Sequence, residues 1–217
     1  MDFRADIIID ALPLLLEGLG ATLKLCLLSF LLALAAGILV GVLRSKSLFF
    51  QRLFAPYVEI FRGTPLLIQL FFIYYGLPSV GITMDNYTAG TLGLGLNGGA
   101  YISEIIRGAL FSVNQGQEEA AKALGLNWFQ SMVFVILPQA VRVALPPLVN
   151  AFSTIIKESS LVSVLAITEL TRASQLVYTR TFRAFEIYLT VGLLYFIIIY
   201  SASLVSTRLE KRLNRFQ

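Results

Sequence analysis

The chain has 217 residues, of which 57% are hydrophobic and only 14% charged, with a mean hydropathy of +0.77. Soluble domains are roughly 45–50% apolar and about 25% charged, so the composition excludes an ordinary soluble protein and fits one compact membrane bundle. There is no histidine, and the only cysteine, Cys26, lies in an apolar run, which removes the commonest general base and metal ligand and any disulfide framework.

The first ten residues are too polar for a signal-peptide core, and Asp2, Asp6 and Asp10 recur every four residues, which predicts a short surface helix. A helix crosses the hydrocarbon core with about 20 apolar residues. The runs that read as spans are 12–42, interrupted by Glu17 and Lys24; 65–77; the Gly-rich 87–113; 141–167; and 187–204. Lys24 is expected to snorkel to the outer surface.

Five spans put the termini on opposite sides. Arg44, Lys46, Arg52, Arg62, Arg107, Lys122, Arg142, Arg208, Lys211, Arg212 and Arg215 fall on one side, 11 residues, against Arg4, Arg172, Arg180 and Arg183 on the other. The excess marks the cytoplasm, so the N-terminus lies outside and the C-terminus inside. The net charge of +4 then reflects topology and anionic lipid, not nucleic acid.

The second span is preceded by "RGTP", Arg62 to Pro65. Thr64 can cap and Pro65 suits a first helical position, so a helix begins there, either as an ordinary start or as a hinge or gate. In the third span Asn97, Tyr101, Glu104 and Gly108 share one helical face, and Gly95 and Gly99 let another helix approach closely. In the fourth, Asn150, Thr154 and Lys157 share a face, with Glu158 and Ser159 beside them.

An ionisable residue at bilayer depth costs about 2.5–3.5 kcal/mol, so Glu104, Lys157 and Glu158 must face protein or a watery cavity. Asn97, Tyr101, Glu104, Glu158 and Ser159 are the candidate substrate-lining residues. The plainer readings are that Glu104 pairs with Lys157, that Glu158 sits in water at the outer mouth, and that Asn97 and Ser159 satisfy nearby backbone.

Between the third and fourth spans, 114–138 forms a cytoplasmic hairpin. Gln117 to Leu124 reads as a slim Ala-rich helix, Gly125 as a left-handed terminator, Asn127 as the cap of a second helix over Trp128 to Leu137, and Pro138 as its stop or kink. Such a helix can seat in a cleft of another protein, or merely anchor the loop at the surface.

Glu119-Ala120-Ala121 with Gly125, Val135, Leu137 and Pro138 resembles the "EAA" loop of ABC importer permeases, with Val135 where an Ile is usual. "EIFRGTPLLIQLFFIYYGLP" from Glu59, "NGGAYISEIIRGAL" from Asn97 and "KESSLVSVLAITELT" from Lys157 resemble the polar amino-acid branch of that family. The resemblance covers residues 12 to 208 and implies an all-α, type I ABC importer permease in a prokaryotic cytoplasmic membrane.

It also implies partners. Glu119, Ala120, Ala121 and Gly125 would couple to a cytoplasmic ABC ATPase present in two copies. A solute-binding protein outside would deliver an amino acid, and a second permease, identical or a paralogue, would complete the pathway.

The chain carries no G-x-x-x-x-G-K-[ST] loop, so it holds no cofactor of its own; ATP and Mg belong to the partner ATPase. A stand-alone channel or secondary transporter would also show broken helices and buried charge, but does not need the EAA hairpin. A membrane enzyme is a poor fit without His or a metal-ligand cluster.

With two carboxylates in the cavity and one amine, a leftover carboxylate would favour arginine, lysine or histidine; a neutral residue such as glutamine is the alternative.

Overall fold

The computed structural model describes residues 3–213; Asp2 and Arg215, and the side chains of Lys211 and Arg212, lie outside the described part. Every regular element among the described residues is helical. The first, α1 (Ala5–Lys46), takes Asp6 and Asp10 into its own opening turns, so the expected separate surface helix does not form. Pro13 lies inside α1 without ending it. Just beyond it, Leu15 is fully buried with Leu170 and Ala173, and this packing holds the N-terminal end of α1 in line.

The chain turns back through α2 (Leu48–Gly63), whose N-cap Ser47 accepts from the Phe50 amide. Pro65 bars its predecessor from helical angles. Thr64 accordingly adopts φ −119° and ψ 148°, and α3 (Leu66–Phe71), extended by a π turn (Phe72–Gly76) and a 3-10 turn (Leu77–Val80), departs from α2 at 109°. The expected cap is corrected here. Thr64 closes α2 by donating its hydroxyl to the Ile60 carbonyl at 2.7 Å, and Pro65 is itself the residue before the first helical position.

Next comes α4 (Asn86–Phe111), opened by Asp85 accepting from the Thr88 amide at 3.0 Å. It lies along α1. A Cβ at Gly95 would come within 2.5 Å of Leu32, and one at Gly99 within 3.1 Å of Ala36; from the other side, one at Gly37 would meet Ile102 at 2.5 Å. The small-residue pair read from the sequence therefore packs on Leu32, Ala33 and Ala36 of α1, while Gly37 and Gly41 of α1 receive Ile102 and Ile106 of α4, and the two helices run in the same direction at close range.

The hairpin comprises α5 (Gln115–Ala123) and α6 (Trp128–Ser131). A π turn (Met132–Ile136) then leads straight into α7 (Leu137–Glu158). Of the stop or kink expected at Pro138, the stop does not occur. The residue falls in the first turn of α7, directly after the π turn, where a missing N–H and a bulky ring are tolerated. A 3-10 segment (Ser159–Leu165), α8 (Leu170–Thr181) and α9 (Ala184–Leu213) complete the bundle.

By length and hydropathy, 5–46, 128–165 and 184–205 can each cross a membrane, and the bent α2–α3 pair makes a fourth candidate. The segment expected as a further span, 87–113, coincides with α4. At 26 residues α4 is about 39 Å long, enough to cross, but its glycines and polar residues lower its hydropathy. Its apolar contact comes instead from protein: Leu94, Ala100 and Ile102 are fully buried, and Ile155 of α7 packs on Gly98.

Candidate functional site

The α4 face named from the sequence divides on inspection. Asn97 is buried and donates to the Phe61 carbonyl and to Gln69 Oε1, both at 3.0 Å. Gln69 in turn donates to the Phe61 and Thr64 carbonyls at 2.9 and 3.0 Å and to the Thr64 hydroxyl at 2.9 Å. Asn97 thus serves the backbone of the α2–α3 break. One turn further along α4, Tyr101 is 44% exposed, with the Arg62 guanidinium 5.4 Å from its ring centre.

Glu104 does not pair with Lys157. Its carboxylate is held by Arg44 from α1, by Arg107 at 2.8 Å from its own helix, and more loosely by Arg62 at 3.9 Å from α2. The i,i+3 spacing to Arg107 was visible in the sequence. Arg44 and Arg62 enter the sequence reading only through the charge count and, for Arg62, the "RGTP" break.

Ala109 clusters with Ala140 and Ala144, and Gly98 with Ile155, so α4 and α7 run antiparallel. In that register Glu158 stands level with about residue 95 of α4, some nine residues from Glu104, or about 13 Å along the axis. The two carboxylates are therefore separate.

Glu158, at the end of α7, is half-buried and has no hydrogen-bond or ion-pair partner among the described residues. Lys157 beside it is exposed, as are Asn150 and Thr154 on the same face. Ser159 is fully buried and donates to the Ile156 carbonyl at 2.8 Å.

Sequence reasoning passed over Glu169. It is fully buried, accepts from the Thr171 and Arg172 amides at 2.8 and 2.7 Å and from the Tyr195 hydroxyl at 2.9 Å, and so ties the start of α8 to α9. Its place immediately before Leu170, the first residue of α8, as an N-cap, was the available signal.

The hairpin follows its local chemistry. Gly125 has φ +81°; its amide donates to the Lys122 carbonyl at 2.9 Å and the Leu126 amide to the Ala121 carbonyl at 3.1 Å, the paired bonds of a Schellman ending. Asn127 caps α6 in a reciprocal box with Gln130. Ala121 turns inward and is buried, while Glu119, Ala120, Ala123 and Leu124 are exposed, Leu124 by 82%. Behind the hairpin a cavity of about 570 Å³ lies between Lys46, Phe111, Glu118, Trp128 and Met132, with the Lys46 ammonium 5.0 Å from the Trp128 ring centre. No group of His, Cys, Asp and Glu able to hold a metal occurs among the described residues.

The described residues thus form a helical bundle with several helices long and apolar enough to cross a membrane, and a capped, exposed hairpin between α4 and α7. Residues 33–215 match the family of binding-protein-dependent transport system inner membrane components. The chain is 39% identical over 217 residues to the glutamine transport system permease protein GlnP of Escherichia coli, covering 99% of both chains. It is also 39% identical over 206 residues to the L-cystine transport system permease protein TcyB of Bacillus subtilis, covering 94% of this chain and 88% of that one. A crystal structure of an amino acid ABC transporter with histidines contains a chain that superposes with a TM-score of 0.91 at 36% identity, over 98% of this chain and 100% of that chain.

The chain belongs to the binding-protein-dependent inner membrane components, and within them to the amino-acid ABC permeases. It is a multi-pass membrane subunit and not an enzyme; hydrolysis of ATP is the work of a separate ATPase.

Proposed function

We propose that this permease carries polar amino acids inward by alternating access, with a preference for a basic side chain set by Glu158. The chain crosses the membrane five times, N-terminus outside, and works as a two-fold dimer of identical or closely related subunits. Each copy presents the exposed Glu119–Leu124 surface to one ATPase, which holds ATP and Mg, and a binding protein delivers the amino acid from outside. ATP draws the two hairpins together and opens the pathway outward; hydrolysis reverses it.

One observation carries the substrate reading: Glu158 is half-buried and has no partner among the described residues, whereas Glu104 is already held by arginines. At an effective dielectric near 20, a guanidinium about 4 Å from a carboxylate gains roughly 4 kcal/mol before desolvation, enough to separate arginine from a neutral analogue. The second reading, a neutral substrate such as glutamine, is supported by the 39% identity to a glutamine permease.

Uptake of arginine and glutamine into proteoliposomes holding the complete complex decides between them. Glu158→Gln should lower the arginine-to-glutamine ratio while Tyr101→Phe leaves it alone. A ratio unmoved by Glu158→Gln removes the basis for a basic substrate.

A further inference from the structure

Three guanidiniums meet one carboxylate on the inner half of α4. Arg44, Arg62 and Arg107 all lie within ion-pair reach of Glu104, so with every group ionised the cluster carries two more positive charges than negative. The cluster is only partly wetted. The Arg44 side chain is 9% exposed and its Nε has no hydrogen-bond partner. Arg62 and Arg107, at 43% and 31%, form the open side. Both have a guanidinium over an aromatic ring, Arg62 on Tyr101 at 5.4 Å and Arg107 on Phe111 at 5.6 Å. A guanidinium steadied over a ring still offers edge N–H groups, and two parallel N–H donors match a carboxylate.

We propose that Arg62 and Arg107, steadied by Glu104, Arg44 and Tyr101, form an inner subsite for the α-carboxylate of the amino acid on its way to the cytoplasm. The inference rests on the amino-acid reading above. The subsite adjoins the exposed part of the α4 face: Tyr101 precedes Glu104 by three residues, about 4.5 Å of helix rise. Every amino acid carries an α-carboxylate, so this subsite reads the substrate class and leaves side-chain choice to Glu158. Glu104 has a definite task in it. A conducting site must bind well enough to be entered and weakly enough to be left, and one built-in carboxylate lowers the surplus charge to that range. The sharing of one face with Tyr101 favours a solute over the rival anion, an inner-leaflet phospholipid headgroup, whose phosphate the same cations could hold.

The test uses the whole complex, permease and ATPase, in nanodiscs without nucleotide, with L-arginine, L-glutamine and their α-amides as probes. Arg62→Gln should weaken binding of the free acids about tenfold, the loss of one charge-assisted hydrogen bond, and leave the amides unchanged. Arg62→Lys, which keeps charge but not the fork, should fall between. Arg107→Gln should repeat the pattern.

If the variants change acid and amide equally, or neither, the subsite does not exist. If native mass spectrometry shows loss of a co-purifying anionic lipid with amino-acid binding intact, the cluster is a lipid site and the proposal is overturned. Wild-type uptake is measured alongside: failure to take up any amino acid sinks the broader reading, while normal uptake with unresponsive variants sinks the subsite alone.

Discussion

The side chain of Gln69 stands between Asn97 and Thr64, accepting from the first at 3.0 Å and donating to the hydroxyl of the second at 2.9 Å. Through this amide the central helix α4 holds the 109° break between α2 and α3 in one geometry. The break leaves the Phe61 and Thr64 carbonyls without continuing helix partners, and both are satisfied by these amides. Removing one partner from a buried set costs about 1–3 kcal/mol per group left unmet. Gln69→Leu should therefore lower the thermal unfolding temperature of the purified permease, followed by circular dichroism, more than Asn97→Ala. The double substitution should cost less than the sum, because the two share bonds. Additive effects would mean that the two amides act independently.

Helix packing gives a sharper contrast. A Cβ at Gly41 would sit 2.7 Å from the Ser103 carbonyl oxygen and 2.9 Å from Ile106 Cβ, whereas one at Gly20 has nothing within 4 Å. The first contact involves backbone, which cannot swing aside. Gly41→Ala should destabilise by about 1–3 kcal/mol, as overpacking does. Gly20→Ala should be neutral or stabilising by up to about 1 kcal/mol through helix propensity. Comparable melting of the two variants would contradict the close α1–α4 approach.

How much of this was legible in the sequence depended on range. The hairpin's turn was, because Gly125 and Asn127 act on bonds within a few residues, and α5 ends and α6 begins near where those residues place them, although α6 gives way to a π turn after Ser131 and not at Leu137. Gly95 and Gly99 announced a close neighbour but not which helix. Beyond Arg107, one turn along α4, the partners of Glu104 were not legible: Arg44 lies 60 residues away, and its charge was already accounted for by topology. Gln69, a lone amide in an apolar run, gave no local sign of a role that arises only when α4 folds against the break. Pro138 left a stop and a kink both open because its cost depends on the ladder around it, and a π turn supplies an unusual one.

Thiol accessibility separates the open residues of the candidate pathway from the structural ones. In a Cys26→Ser background, a cysteine at Tyr101 or Lys157 should react with small polar thiol reagents. Cysteines at Asn97 and Ser159 should react slowly, since those side chains are 4% and 0% exposed. Ile197, exposed on α9 and facing lipid in the proposed five-span arrangement, is a control that should also resist a polar reagent. Fast modification at positions 97 and 159 would show that the bundle opens there during turnover.

The hairpin carries the most direct test of coupling. Gly125 holds φ +81°, and its amide donates to Lys122; proline can supply neither the angle nor the N–H. Gly125→Pro should therefore dismantle the ending of α5 and misdirect the exposed Glu119–Leu124 surface, while leaving the membrane helices in place. Gly125→Ala is the graded control: a Cβ there meets nothing within 4 Å, so its only penalty is the left-handed backbone, about 1–2 kcal/mol. In the assembled complex, ATP hydrolysis should lose its stimulation by substrate-loaded binding protein in the proline variant and keep most of it in the alanine one. A proline variant that assembles, hydrolyses and transports like the parent would leave the hairpin as a surface anchor and nothing more.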